Sequence, residues 1–336
     1  MLPQPLDVLD ELVIVLFSRQ GRRRLPVTLL WAPPATSFVS ADGCERYISP
    51  EPVALGLEWT ARMLVSIHNH TRWSDGSASV AASVEVAGQM GINELGISDH
   101  YTVAPDGAAL AWSMPLDRLP AYVREVQTVA ATSRSLTLRL GLEADFFPET
   151  VEELRRRLAA HPFDYIIGSV HFVGRFPLDT KARLWQGLSA DERDEVWRTY
   201  WRLVRQLAES GAFDIVGHLD LPKKYGYRPT VDLATEAEAA LDAIAKADMA
   251  IELNTSGWDR PAREAYPSPA LLRSARRRGI PMLISADAHA PHELTRHFAA
   301  AEVLARQAGY ADLVRYAGRE RVIVPLSLAV RPEDDR

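Results

Sequence analysis

The chain has 336 residues, of which 47% are apolar and 24% charged, with 38 basic and 44 acidic side chains and a formal net charge of −6. This is the composition of a globular protein with room for one large domain or two ordinary ones, and the acidic balance argues against a broad nucleic-acid surface. Cys44 is the sole cysteine, which excludes internal disulfides and thiolate zinc sites, so any metal must be held by His, Asp and Glu.

Near the start, LVIVLF (12–17) is six residues long, far short of the ~18 of a membrane span. Asp7, Asp10 and Glu11 precede it and arginines follow, the reverse of a secretory signal. A cytoplasmic protein with no membrane partner is the expectation. Residues 1–62 include WAPPATSFVSADGCERYISPEP, rich in Pro, Ser and Ala and weak in periodicity. They are either an extension that packs on the following domain or upstream sequence, with Met63 the natural start. The second reading is favoured, because the motifs that follow need nothing before Met63. The expected division is therefore 1–62 and 63–336.

From Met63 onward, short apolar runs alternate with helical patterns. The predicted strands are LVSIH (64–68), NELGI (93–97), LTLRLGL (136–142), DYIIG (164–168), DIVG (214–217), MAIEL (249–253) and PMLIS (281–285). Such runs suit strands buried on both faces, as in parallel sheets. Thr150 with Glu153, and Ser189 with Glu192, predict capping boxes. Val196, Tyr200, Leu203 and Leu207 recur at helical spacing, and Ser268-Pro269 opens a helix that Gly279 closes. The β-then-α order predicts a parallel barrel or a doubly wound sheet.

The histidines fall at the ends of these strands. HNHTRWSDG (68–76) follows the first, ISDHY (97–101) the second and GLEADF (141–146) the third. SVHF (169–172), GHLD (217–220), ELNTSG (252–257) and SADAH (285–289) follow the other four. In a β/α barrel those ends converge on one mouth. Six of nine histidines lie there: His68, His70, His100, His171, His218 and His289. Together with Asp75, Glu143 and Asp287 they predict a metal site. His68 and His70 point to one face of an extended strand and can reach one ion, as can Asp287 and His289. An all-N/O donor set suits Zn, Mn or Fe. The other three read as structural, His161 at a helix end and His292 and His297 in a predicted helix. The basic runs Arg22–Arg24 and Arg276–Arg278 are short, and the second ends a helix, where cations suit the dipole.

In order and content these motifs resemble the PHP family of polymerase-associated and histidinol-phosphatase domains, over about residues 63–326. GSVHF, GHLDLPKKYG and the long stretch from ELNTSG to ISADAH are similar to its histidinol-phosphatase branch. The resemblance implies a distorted seven-stranded β/α barrel with three divalent ions. His68, His70, Glu143 and Asp287 would hold the first, and Glu143, His171 and His218 the second. Asp75, His100 and His289 would hold the third. It also implies hydrolysis of a phosphate monoester, with L-histidinol phosphate the leading substrate in histidine biosynthesis. The ions would activate water and neutralise charge on the attacking and leaving oxygens.

Arg260, Arg263 and Lys223 follow mouth-facing strand ends and are the candidates to bind phosphate. Asp220 is a candidate to protonate the leaving alkoxide or to orient a ligand imidazole, and Asn254 to orient substrate or a neighbouring loop. Trp73, Tyr101, Phe172, Trp258 and Asp179 are candidates for the aromatic and acidic walls that an imidazole and an amine require. The expected partner is thus a small phosphate ester and not nucleic acid, and the sequence does not set the oligomeric state. The competing readings are a phosphoesterase for another small ester or nucleotide, a 3′–5′ exonuclease, and a non-catalytic metal-binding module.

Overall fold

The computed structural model describes residues 63–326 throughout, together with four short strands before them. The chain divides into two units, residues 1–62 and 63–336. In the first, Leu29–Trp31 pairs antiparallel with Val53–Leu55, and Thr36–Val39 with Glu45–Ile48. LVIVLF, Arg22–Arg24 and Cys44 lie outside the described residues. Among the described residues no helix is long and apolar enough to cross a membrane.

In the second unit each predicted strand is present, in seven passes of the chain. The strands are β1 (Val65–Ser66), β2 (Glu94–Ile97), β3 (His100–Tyr101), β4 (Thr137–Leu140), β5 (Glu143–Asp145), β6 (Ile167–Ser169), β7 (Ile215–Val216), β8 (Ala250–Asn254) and β9 (Met282–Ser285). Two passes are broken, one into β2 and β3 and the other into β4 and β5. The strands form a parallel six-stranded sheet in the order β9-β8-β7-β6-β5-β3 and a parallel three-stranded sheet β1-β2-β4. A parallel bridge, Asn69 to Ala288, sets the end of the first pass beside the end of the seventh. Helices α1 (Val80–Gln89), α2 (Leu119–Thr132), α3 (Val151–Leu158), α4 (Ala182–Gln186), α5 (Ala190–Glu209), α6 (Ala234–Lys246) and α7 (Pro269–Arg277) connect the passes. Helix α8 (Phe298–Gln307) and an antiparallel hairpin, Asp312–Ala317 with Glu320–Pro325, follow.

Apart from β1 and β4, the strands are buried on both faces, and neighbouring residues enter different cores. Ile167, Ile215, Ala250 and Leu283 join Ile67 and Tyr165 in an inner cluster, whereas Ile166, Val216, Ile251 and Ile284 pack with the residues of the helices. Because side chains alternate along a strand, the inner row continues at every second residue. That row turns from apolar to polar toward the strand's carboxyl end. Ile167 leads to Ser169 and His171, Ala250 to Glu252 and Asn254, and Leu283 to Ser285, Asp287 and His289. Gly96 and Gly141 begin the rows that reach His100 and Glu143. A Cβ at either would lie 2.1 Å from Tyr165, so these glycines make room for its ring.

The Ser189–Glu192 capping box forms, and Ser268 and Pro269 open α7. The expected box at Thr150 does not form. Its hydroxyl donates to the Val103 carbonyl at 2.6 Å, and Glu153 pairs with Arg157 at 2.6 Å. His292 and His297 are not inside a helix as expected, but in a 3-10 turn and at the α8 N-cap, where His297 meets Asp259 at 3.0 Å.

Candidate metal centre

The nine side chains expected as ligands lie together at the carboxyl ends of the strands. Glu143 is the hub. Its Oε2 lies 3.2 Å from His68 Nε2, 3.5 Å from His70 Nε2 and 2.8 Å from His100 Nδ1. Its Oε1 accepts from Ser169 at 2.6 Å and lies 2.9 Å from His218 Nε2 and 3.6 Å from His171 Nε2. Asp287 Oδ1 is 3.2 Å from His70 Nε2, and Asp75 Oδ2 is 3.3 Å from His289 Nε2. The positive φ of Asp287 (51°) turns the chain between Ala286 and the histidine that follows.

Donor atoms fall into three overlapping groups: His70, Asp75, His100 and His289; His68, His70 and Glu143; and His100, Glu143 and His171. The grouping differs from expectation: His70 also stands with the Asp75 set, His100 takes the expected place of His218 beside Glu143 and His171, and Asp287 and His218 fall in none of the three groups. The rings are crowded, with His70 stacked 4.2 Å from His100 and 4.3 Å from His289. His171 Nε2 is 3.1 Å from His218 Nε2. His68 Nε2, both His70 nitrogens, His100 Nδ1 and Glu143 Oε2 are buried without a hydrogen bond; His100 and Glu143 are close but poorly aligned. Buried polar atoms are rarely left so. Converging lone pairs of N and O donors are what a divalent cation satisfies, so the residues present fit a metal centre.

Charge perturbs these groups strongly. Burial disfavours the charged form of His171, but Asp145 and Glu143 outweigh it and raise its pKa to about 10. Against the same penalty, Asp75 and Asp287 raise His289 to about 9. His70, desolvated and facing His100 and His289, falls to about 3. Burial opposes ionisation of Glu143 and Asp287 too, yet the surrounding imidazoles hold both well below the usual carboxylate range.

Two carboxylates that sequence reasoning missed stand behind the imidazoles. Asp145 Oδ1 lies 2.7 Å from His171 Nδ1, and Glu252 Oε2 lies 2.7 Å from His68 Nδ1. Both were findable: Asp145 is two residues beyond Glu143 and Glu252 two before Asn254, on the same inward rows.

The expected substrate-binding residues divide. Arg260 lines the cavity of about 390 Å³ beside the cluster, with Lys224 and Asp179. Lys223 does not face it. It is fully buried, and its ammonium meets Asp220 at 2.9 Å, Glu264 at 2.9 Å and the Ala265 carbonyl at 2.7 Å. Its three donors are therefore committed, which corrects its expected phosphate role. Arg263 is exposed, makes a 3.5 Å contact with the Trp258 carbonyl and is not among the residues lining the cavity. Asp220 touches no imidazole, which corrects its expected role in orienting one; its Oδ2 accepts from Lys223 and from the Ser268 amide at 3.0 Å, its Oδ1 is buried without a partner, and burial outweighs Lys223 and raises its pKa. Asn254 is buried, donating to Glu252 at 3.0 Å and Asp287 at 3.4 Å, so it orients carboxylates. Trp73, Tyr101, Phe172 and Trp258 do not line the cavity, whereas Trp112 and Tyr266 do.

Residues 66–256 match the PHP domain. Over 222 residues the chain is 40% identical to a probable histidinol-phosphatase of Deinococcus radiodurans, covering 65% of this chain and 83% of that protein. Its fold is similar to the crystal structure of histidinol phosphate phosphatase from Lactococcus lactis, complexed with zinc, L-histidinol and phosphate (TM-score 0.65, 22% identity, 77% of this chain and 98% of that one). It is also similar to that of a putative histidinol phosphatase from Listeria monocytogenes (TM-score 0.61, 19% identity, 70% and 99%). With the motif order and this match over more than half its length, the chain belongs to the PHP-domain family.

Proposed function

We propose that this protein is a metal-dependent phosphate monoesterase that hydrolyses L-histidinol phosphate to L-histidinol and phosphate. The observation that carries the reading is the convergence of His68, His70, Asp75, His100, Glu143, His171, His218, Asp287 and His289 at one end of the strands. The 40% identity to a probable histidinol-phosphatase supports the choice of substrate. The scaffold is a distorted seven-stranded β/α barrel, supported by the seven passes and by the bridge from Asn69 to Ala288.

Three ions of Zn, Mn or Fe would be held by the overlapping donor groups, two of which have Glu143 in common. Such ions supply Lewis acidity, neutralising phosphoryl charge and lowering the pKa of water toward neutrality. The chain's own residues do the rest. Asp145 and Glu252 hold the His171 and His68 rings in place. Arg260 and Lys224 bring positive charge to the cavity wall, where a phosphoryl group docks. Asp179 lines the same cavity and is held ionised: burial opposes this, but Lys224 outweighs it. It is the acid expected to receive the substrate's cationic end. Asp220 is buried and is not among the residues lining the cavity, and its Oδ2 is bound to Lys223.

The test is phosphate release by the Mn- or Zn-loaded protein from a panel of esters. Histidinol phosphate is expected to be preferred over nucleotides by well over about tenfold, the discrimination a polar, shape-selective site supplies. A smaller preference would contradict the substrate, and no turnover of any ester would favour a non-catalytic metal-binding module.

A further inference from the structure

The segment after β3 carries an aromatic residue that no motif pointed to. It leaves the strand at His100 and returns to it, through Thr102 N–H donating to Ser113 Oγ at 3.0 Å and Met114 N–H donating to the His100 carbonyl at 2.9 Å. This closed loop fixes Trp112 against the metal-ligand candidates. Its ring is 4.8 Å from His100 at 79° and 5.6 Å from His171 at 68°. It stacks on Phe172 at 6.2 Å and 17°, and Phe172 in turn meets Phe147 at 5.8 Å.

Trp112 is half-buried and lines the cavity. Tyr266 lines it too but is only 1% exposed. Apart from the imidazoles, Trp112 is thus the accessible aromatic of that cavity among the described residues. An ester whose phosphoryl group sits at the cluster must run its leaving group past the walls nearby, and the indole abuts two of the cluster's rings. Aromatic rings gain about 0.5–1.5 kcal/mol from one another beyond the area they bury, a gain a flexible aliphatic chain lacks.

We propose that Trp112 is a specificity-determining residue, selecting phosphate esters whose leaving group carries a flat aromatic or heteroaromatic ring. The proposal rests on the cavity being the phosphate-ester site. The test compares kcat/KM for phenyl phosphate, L-histidinol phosphate and glycerol 3-phosphate in the metal-loaded wild type, W112F and W112L. Metal content is measured alongside. Intrinsic leaving-group reactivity cancels when each variant is referred to wild type. In W112L the aromatic-to-aliphatic ratio should fall about five- to tenfold, whereas in W112F it should stay within about twofold, with metal content unchanged. An unchanged ratio in W112L would overturn the proposal, as would a fall that tracks loss of metal, which would make the indole only a prop for His100 and His171. A wild type that prefers phenyl phosphate but ignores histidinol phosphate would overturn the named substrate and leave the role of Trp112 standing. A wild type indifferent to the leaving group would overturn the role of Trp112 and leave the ester-hydrolase reading standing.

Discussion

Glu252 Oε2 lies 2.7 Å from His68 Nδ1, and this contact decides which nitrogen of His68 faces the cluster. An ionised carboxylate only accepts. In the neutral ring the proton therefore sits on Nδ1, which leaves the Nε2 lone pair to ligate, a tautomer assigned from the network. Glu252 also accepts from the Ser285 hydroxyl at 2.7 Å, the Asn254 amide at 3.0 Å and the His218 backbone N–H. Glu252→Gln replaces one acceptor with a donor amid four donors. It should weaken zinc binding about 10- to 100-fold in chelator competition and cost about 1–3 kcal/mol of metal-free stability. Wild-type zinc affinity in this variant would show that Glu252 does not set the ligand's orientation.

Lys223 offers a test of a correction. Removing its ammonium leaves Asp220 buried and unpaired, so Lys223→Met should cost about 3–5 kcal/mol in urea unfolding. KM for the ester should change by less than about threefold, since the ammonium does not reach the cavity. A raised KM with unchanged stability would restore the phosphate-binding role read from the sequence.

Proton release should accompany metal loading. Without metal, His171 (about 10), His289 (about 9) and His68, which despite the cost of burial Glu252 and Glu143 raise well above its ordinary value, are protonated at pH 7. A cation must displace those protons, because only the deprotonated ring ligates. Folded pKa values above 7 mean that apparent affinity rises with pH up to about those values and falls steadily as pH drops. Calorimetry of zinc binding at pH 7, in buffers of different ionisation enthalpy, should report at least about one proton released per protein. Heats independent of buffer would contradict this electrostatic picture.

The inner core makes a separate prediction. At Gly141 a Cβ would lie 2.1 Å from Tyr165 Cζ, and that ring is held by its hydroxyl on the Ile67 carbonyl. Gly141→Ala should therefore lose about 1–3 kcal/mol by overpacking. An unchanged melting temperature would mean that Tyr165 moves aside freely.

Much of this site was legible because its signals are local. His-x-His and Asp-x-His are two-residue spacings on strand ends, and β-then-α order carries those ends to one place. Glu252 and Asp145 obey the same period of two, on the inward rows of Asn254 and Glu143. Lys223 was not legible. Its burial depends on Glu264, far along the chain, and a lysine in a loop reads as exposed until that partner is seen. Trp112 sits in PDGAALAWSM, which has no periodicity to say which way a side chain faces. At Thr150 the box pattern was present, but a tertiary partner, the Val103 carbonyl, took the hydroxyl.

The most direct test of the metal centre is anomalous diffraction from crystals of the zinc-loaded protein. The account predicts scattering peaks among the nine side chains, about 2.0–2.2 Å from imidazole nitrogens and carboxylate oxygens, with Glu143 shared between ions. Peaks elsewhere, or none among these residues at saturating zinc, would contradict it.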